Sequence, residues 1–377
     1  MIDSAKLKEA LSNHLDSLGV DLLGIAPLET ETDQWFKVHQ DKLKLWVEEG
    51  KHADMDWLSD KLEERLMPKI LLPSAKNAIV LWMNHYFPLP EQPDYPTAKI
   101  ARYAWGRDYH QILRKIVEKT KKYLQSLVPD AEFYASVDSG PVLERAFAQR
   151  GHIGWIGKST MLIHPHRGTY GSLAVIFSNL ELEGSVGNHK NHCGTCERCI
   201  EICPTQALSK EGLDARKCIS YWTIEHRGMI PIEIRKAMGN LVFGCDLCQE
   251  ICPWNRKAKM GNPEIWQIKP THIYPNFKDW LRMSDEALNE MLFGSPIRRA
   301  YPFGIKRNIL IVIANLQMKT CIDEVKLCLE HVNPVVRATA IWTLVTLGET
   351  WILGDEKMLG DMSQEVQAEL KQLNTPN

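Results

Sequence analysis

Seven cysteines fall into two runs, Cys193-x-x-Cys196-x-x-Cys199-x-x-x-Cys203-Pro204 and, further along the chain, Cys245-x-x-Cys248-x-x-x-Cys252-Pro253. Thiolates spaced by two and three residues wrap an iron–sulfur cubane, and the cysteine of a closing Cys-Pro turns away to ligate the other cluster. Two [4Fe–4S] clusters need eight thiolates, one more than the seven the runs supply. Of Cys218, Cys321 and Cys328, only Cys218 lies between the runs. The expected sets are therefore Cys193, Cys196, Cys199 and Cys252 for one cluster, and Cys203, Cys218, Cys245 and Cys248 for the other. Structural zinc uses similar pairs but closes at four ligands, and three-ligand runs ending in Cys-Pro favour iron and sulfur over it. A long chain with an ordinary core has no need of disulfides. Cys321 and Cys328 read as buried thiols on an apolar helical stretch.

The elements that must hold these thiols are legible in outline. At 377 residues the chain exceeds one compact core, and two or three domains are expected. Its composition is that of a soluble globular protein. The longest apolar runs, 79–83 and 309–316, are far too short to span a membrane. Residues 1–21 read as an amphipathic helix, with Leu7, Leu11, Leu15 and Leu18 at helical spacing. No signal h-region or twin-arginine motif accompanies it, so a cytoplasmic protein is expected. Strand patterns at 78–83, 132–138 and 172–177 alternate with helical patterns at 109–127 and 142–149. Segment 1–182 should thus be an α+β or α/β domain.

A linker is expected at 181–188, leading into a cysteine-rich domain at 183–262. Segment 263–377 is expected to be a helical domain, its pattern becoming helical throughout after Pro275. Arg307 and Arg337 open similar apolar helices, the second after Asn333-Pro334, which is the pattern of a HEAT-type repeat. Two such units are too few to stand alone, since roughly three are needed, so the array should dock on the cysteine-rich domain. The expected class is multidomain α+β.

Other motifs have two readings. Gly151, Gly154 and Gly157 precede Lys158-Ser159-Thr160, but a phosphate-binding loop would need glycine at 152, which is His152, and a preceding strand. A loop whose glycines bring backbone N–H groups close to a cofactor fits better. Asp138 ends an alternating strand, just before Pro141. It is either an Asx turn into the next helix or a carboxyl at a sheet edge where ligand crevices form. The 103–110 run, Tyr-Ala-Trp-Gly-Arg-Asp-Tyr-His, has the look of core aromatics with a satisfied histidine. Leu113 stands where a corrinoid Asp-x-His-x-x-Gly motif needs glycine, so His110 is a poor cobalt ligand. The formal net charge of −2 sets up no global positive field. Arg298, Arg299, Lys306 and Arg307 nevertheless form a local basic run, readable as solvated surface or as a nucleic-acid contact.

In combination these segments resemble the epoxyqueuosine reductase family, cobalamin-dependent enzymes that complete queuosine in tRNA. The resemblance is carried by 103–110, by Val137 to Pro141, by Gly151 to Lys158, by the full cysteine pattern, by Cys218 to Glu225 and by the helical tail. It covers nearly the whole chain. It implies an α/β cobalamin-binding domain, a ferredoxin-like two-cluster domain and a HEAT-like tRNA-binding tail. It makes Asp138 the proton donor, and Ala101, Tyr103, Asp138, Lys158, Ser159 and Asp246 cobalamin contacts. Trp222 and Arg227 fall where the family meets tRNA, and Arg298, Arg299 and Arg307 gain a reason to cluster there. A flavodoxin- or ferredoxin-type electron donor, no membrane association and a monomer are also expected.

Turning an epoxide into an alkene consumes two electrons and two protons and releases water. Clusters can relay single electrons to cobalt, and a carboxylic acid can protonate the alkoxide as it forms. Burial against an apolar corrin would raise the pKa of that acid. A reductive dehalogenase and a plain iron–sulfur electron carrier or adaptor are the rival readings. The first typically carries a twin-arginine signal, and the second would bind no corrinoid.

Overall fold

The computed structural model describes residues 3–28, 34–91, 93, 97–186 and 190–375. Residues 1 and 2 of the expected first helix, and Gly187 and Asn188 of the expected linker, lie outside the described residues. The chain forms two compact units. One comprises Met1–Pro88, Arg107–Arg216 and Leu247–Gln267, the other Leu89–Gly106, Lys217–Asp246 and Ile268–Asn377. This division does not follow the expected boundaries at 182 and 262, because the cysteine-rich segment has members in both units. Among the described residues, no helix is long and apolar enough to cross a membrane.

The first unit is built on a four-stranded sheet in the order Leu22–Pro27, Asn77–Asn84, Gly171–Ser178, Phe133–Ser136. Every neighbouring pair is antiparallel, with Ile25 opposite Ile79, Val80 opposite Val175 and Ser136 opposite Val175. Of the two classes expected for this part, antiparallel pairing selects α+β. The carboxyl-end crevice of parallel sheets therefore does not explain the position of Asp138. Asn77–Asn84 is buried along its length, as a central strand covered on both faces should be. Ala78, Val80, Trp82, Val175 and Phe177 pack with Phe147 and Ala148 of the Glu144–Arg150 helix.

The Tyr109–Leu127 helix also packs on Gly171–Ser178. Its buried stripe is Ile112, Leu113, Ile116, Val117, Thr120 and Leu124, at the spacing of one helical face. The Leu22–Pro27 strand and the Gln34–Glu48 helix carry no pattern that singled them out in the sequence. Segment 247–267 belongs to this unit through buried polar contacts. Asn255 Oδ1 accepts from the Thr169 amide at 2.8 Å, and Trp266 Nε1 donates to the Asn84 carbonyl at 2.7 Å.

The second unit is mostly helical. Tyr301–Asn315, Pro334–Thr346 and Gln364–Asn374 pack in succession. Lys99–Ile100 and Leu241–Phe243 form a short parallel pair beside the first of these helices. Segment 217–246 is fastened to the tail by two buried arginines and an asparagine. Arg235 makes a bidentate pair with Glu369, both contacts at 2.8 Å, and its guanidinium lies over Trp342. Asn308 donates to the carbonyls of Thr223 and Val242, each at 2.9 Å.

Arg307 is 1% exposed. It donates to the carbonyls of Trp222 at 2.8 Å, His226 at 3.0 Å and Gly228 at 2.7 Å. The expected tRNA contact at Arg307 is thus corrected: a buried side chain spent on three carbonyls has no donor to offer a phosphate. Lys306 turns inward as well, pairing with Asp285 at 2.9 Å. Arg307→Ala should lower the stability of this unit by about 3 kcal/mol, because hydrogen bonds to a charged group are lost and buried acceptors are left unmet. Denaturant unfolding followed in the far ultraviolet checks this, and an unchanged midpoint would refute it.

Candidate functional site

In the first unit, Asp138 lies two residues beyond Phe133–Ser136, with a left-handed φ of 57°. Non-glycine residues seldom adopt this region, although aspartate and asparagine do so most readily. The segment after Asp138 is not the expected turn into a helix opened by Pro141, since the helix begins only at Glu144. Glu144 reaches back instead. Its Oε1 accepts from the Asp138 backbone N–H and from Ser136 Oγ, both at 3.1 Å. Arg65 donates to the Gly140 carbonyl at 3.2 Å. The loop is thereby held from two sides while the Asp138 side chain stays 60% exposed.

The start of the Tyr109–Leu127 helix faces this carboxyl. The Tyr109 hydroxyl donates to Asp138 Oδ2, and His110 Nε2 lies 3.6 Å from the same oxygen. Asp108, the N-cap, accepts from the His110 amide at 3.0 Å and contacts His110 Nδ1 at 2.8 Å. The imidazole thus sits between two carboxylates.

These contacts set the charges. For His110, burial lowers the pKa, but the hydrogen bond to Asp108 and the charges of Asp108 and Asp138 raise it to about 9. For Asp138, loss of water to the protein packed around it acts upward and is outweighed by the nearby His110 and by the hydrogen bond from Tyr109, which hold it below the ordinary carboxylate value. The raised carboxyl is Glu144, lifted to about 7 by burial and by the charge of Asp138. Tyr109, His110 and Glu144 were not expected to be functional. An Asp-Tyr-His sequence opening a helix was the available signal for the first two; Glu144 gave none.

All eight candidate cluster ligands are half-buried cysteines outside any disulfide. In the first unit, burial raises Cys252, and the thiols of Cys193, Cys199 and Cys196 add to the rise. Cys199 is raised by burial and then by Cys193 and Cys196. One expected ligand set is therefore drawn together from both runs. Among the described residues, no three such side chains converge tightly enough to hold a single metal ion. Cys203 Sγ accepts from the Ala207 amide at 3.2 Å, and Cys248 sits in the short Leu247–Glu250 helix. In the second unit, Cys218 caps the Ile219–Ile224 helix, and Cys245 comes directly after Gly244, whose φ is 68°. Soft, partly buried, unbridged thiols are the donor set that iron–sulfur clusters require. Cys321 and Cys328 are buried, and burial pushes Cys328 up to about 12.

The glycines before Lys158 serve close packing. A Cβ at Gly154 would stand 2.2 Å from the Ile163 carbonyl, and one at Gly157 would stand 2.4 Å from Ile163 Cδ1 and 3.3 Å from Cys193 Sγ. Lys158 pairs with Glu197 at 3.4 Å, and Ser159 is buried. In the second unit, Ala101 donates its N–H to Phe243 at 2.8 Å, and Tyr103 lies against Phe243. Asp246 Oδ2 accepts from the Arg102 amide at 2.7 Å. Nearby on that unit, Arg227 donates to the carbonyls of Ile224 at 2.7 Å and Arg299 at 2.9 Å, and lies over the exposed Tyr301 ring. Arg299 forks Glu225, Arg298 lies over exposed Phe293, and Trp222 stacks edgewise on His226.

Comparison with known proteins identifies the family. Residues 192–255 match the family model of the 4Fe-4S double cluster binding domain, and 65–139 match that of epoxyqueuosine reductase QueG, DUF1730. The chain is 35% identical to epoxyqueuosine reductase of Pseudomonas aeruginosa over 92% of its own length and 96% of the relative. It is 36% identical to that of Synechocystis over 78% of its length and all of the relative. A crystal structure of epoxyqueuosine reductase with an epoxyqueuosine-modified tRNA-Tyr stem loop superposes with a TM-score of 0.89 at 28% identity, over 98% of both chains. The Bacillus subtilis enzyme, captured with its catalytic aspartate loop swung out of the active site, also superposes at 0.89 and 28%, over 98% of this chain and 99% of its own. With that identity running through nearly the full length of both partners, the chain belongs to the epoxyqueuosine reductase family.

Proposed function

We propose that this chain reduces the epoxide of epoxyqueuosine at the first anticodon position of tRNA, giving queuosine, with two [4Fe–4S] clusters and cobalamin as cofactors and Asp138 as proton donor. The observation that carries this reading is the exposed Asp138 carboxyl backed by Tyr109 and His110, in a chain that also holds eight unbridged, half-buried thiols. Cys193, Cys196, Cys199 and Cys252 hold one cluster; Cys203, Cys218, Cys245 and Cys248 hold the other. Ala101, Tyr103, Asp138, Lys158, Ser159 and Asp246 are the contacts for cobalamin. The fit is supported by Asp138, which offers an exposed carboxyl, and by the Arg102–Asp246 contact, which fixes the turn carrying Ala101 and Tyr103. Bound cobalamin supplies low-valent cobalt, a nucleophile strong enough for a strained carbon.

The chain's own residues do the rest. Asp138 protonates the oxygen released when the ring opens, and Glu144 and Arg65 keep its loop at the site. A base at the first anticodon position is unpaired in a loop and can be splayed into a pocket while phosphates are held elsewhere. Trp222 and Arg227, with Arg298 and Arg299 of a HEAT-like tail, provide that hold. Exposed Tyr301 and Phe293 beneath arginines offer stacking faces. A flavodoxin- or ferredoxin-type protein delivers the electrons to a monomer in the cytoplasm. Segment 1–182 is the cobalamin-binding domain, 183–262 the two-cluster domain, which also lends Asp246 to cobalamin and Trp222 and Arg227 to tRNA, and 263–377 the HEAT-like tRNA-binding domain.

Anaerobic incubation of reconstituted protein with epoxyqueuosine-containing tRNA, followed by mass analysis of the nucleosides, tests the proposal. A loss of one oxygen from the modified base supports it; an unchanged base ends it. Arg298→Ala with Arg299→Ala should weaken tRNA binding and reduce the salt slope by about one to two units, at roughly 0.7–0.9 per phosphate contact. Affinity measured across a salt series reads this directly, and an unaltered slope would return both arginines to ordinary surface.

A further inference from the structure

Asp138 is held ionised by its neighbours, yet the reaction asks its oxygen to deliver protons, and two are consumed per turnover. We propose that His110 is the proton store that recharges Asp138, so that a single carboxyl delivers both protons. The inference rests on the reading of Asp138 as donor and adds a second residue to it. His110 stands in the first turn of the Tyr109–Leu127 helix, its Nδ1 2.8 Å from Asp108 Oδ1 and its Nε2 3.6 Å from Asp138 Oδ2. A ring between two carboxylates is stabilised with both nitrogens protonated. One nitrogen is fixed on Asp108, so the other is left to serve Asp138.

The surrounding charges favour this arrangement. From the same helix, Tyr109 donates to Asp138 Oδ2 and Arg114 holds Ser139 Oγ at 2.9 Å. From the facing Glu144–Arg150 helix, Glu144 accepts the Asp138 N–H, and Arg145 acts on Asp138 through its charge. Arg65 of Leu62–Leu66 acts on both Asp138 and Glu144. His110 is the member of this group whose pKa, about 9, leaves it protonated at neutral pH yet able to release a proton to a strong base.

The reaction balances in atoms and electrons. The two carbon–oxygen bonds of the epoxide break, the carbon–carbon double bond forms, and the oxygen leaves as water. The two electrons would be supplied one at a time by iron–sulfur clusters held on the cysteines. At each protonation His110 passes its Nε2 proton to the Asp138 carboxylate, which then delivers that proton to the substrate oxygen and returns to its ionised form. Solvent then reprotonates the ring, whose side chain is 28% exposed. The 3.6 Å gap must close to hydrogen-bond reach during transfer, as resting catalytic contacts commonly do.

His110→Gln keeps a side-chain donor but cannot store a proton. Its turnover at saturating tRNA should fall on the order of 10²-fold, with cluster absorption and tRNA affinity unchanged. The wild-type rate should decline as pH rises through about 9, where the ring loses its proton, and His110→Gln should lack that limb. Added imidazole should restore turnover in proportion to imidazolium. In protein without substrate, imidazole NMR should show His110 titrating near 9, and lower in Asp138→Asn. A His110→Gln profile that keeps the wild-type basic limb, or a slow variant that imidazole does not rescue, overturns the inference. If Asp138 itself is not the donor, Asp138→Asn turns over normally whatever His110 does; if only the His110 step fails, Asp138→Asn is dead while His110→Gln keeps the wild-type profile.

Discussion

Asp138→Asn should lower turnover on the order of 10²- to 10⁴-fold while both clusters and cobalamin stay bound. The substitution is nearly isosteric, so the loop should keep its shape. Asparagine tolerates the left-handed φ of 57° as well as aspartate does, and the backbone N–H still reaches Glu144 Oε1 at 3.1 Å. Tyr109 can still donate to the amide oxygen. What the amide cannot do is accept a proton from His110 and release it to an alkoxide. Asp138→Ala is the weaker experiment, because alanine at this φ adds about 1–2 kcal/mol of backbone strain and confuses a chemical loss with a displaced loop. Single-turnover nucleoside analysis alongside the visible spectrum separates the two. Turnover near the wild-type rate with intact spectra would remove Asp138 as the acid.

The route from sequence to this site is uneven for physical reasons. Central strands and the long amphipathic helix have strong periodicities, and 78–83, 172–177 and 109–127 fall on Asn77–Asn84, Gly171–Ser178 and Tyr109–Leu127. The cysteines are legible because ligand spacing is a local property. Charge is different, since its meaning depends on what the fold places opposite it. Arg307 and Lys306 read as half of a basic patch, yet carbonyls from 222–228 and the Asp285 carboxylate draw them inward. Glu144 sits six residues from Asp138, with nothing in the sequence to show that a loop folds it back on the Asp138 amide. His110 reads as a satisfied structural histidine, and it is satisfied, but by two carboxylates, one of them the candidate acid.

The same contrast governs the compact units. Asn255 and Gln249 tie 247–267 to Thr169 and Trp266 ties it to Asn84 in the sheet of the first unit, while Arg235 and Asn308 tie 217–246 to the rest of the second unit. Side-chain hydrogen bonds to partners distant in the chain, which no local pattern announces, decide where each piece of the cysteine-rich segment belongs.

Cys252→Ala and Cys218→Ala should each cost one cluster, so that iron per chain falls from the eight expected of two four-iron clusters to about half. Cys252 is the more stringent case. It lies far along the chain from Cys193, Cys196 and Cys199, yet its thiol is close enough to feel all three. A cubane deprived of one of its thiolates has no replacement there among Cys321 and Cys328, which are buried in the second unit. Cys218 completes the other set by count, and its removal asks whether that count is right. The two variants should differ in which cluster signal survives in low-temperature electron paramagnetic resonance of the reduced protein. Identical residual spectra would mean that the ligand sets are wrongly partitioned, and full iron in Cys218→Ala would exclude it as the eighth ligand. Zinc in place of iron in protein prepared without oxygen would remove the electron relay, and with it the route by which single electrons reach the epoxide.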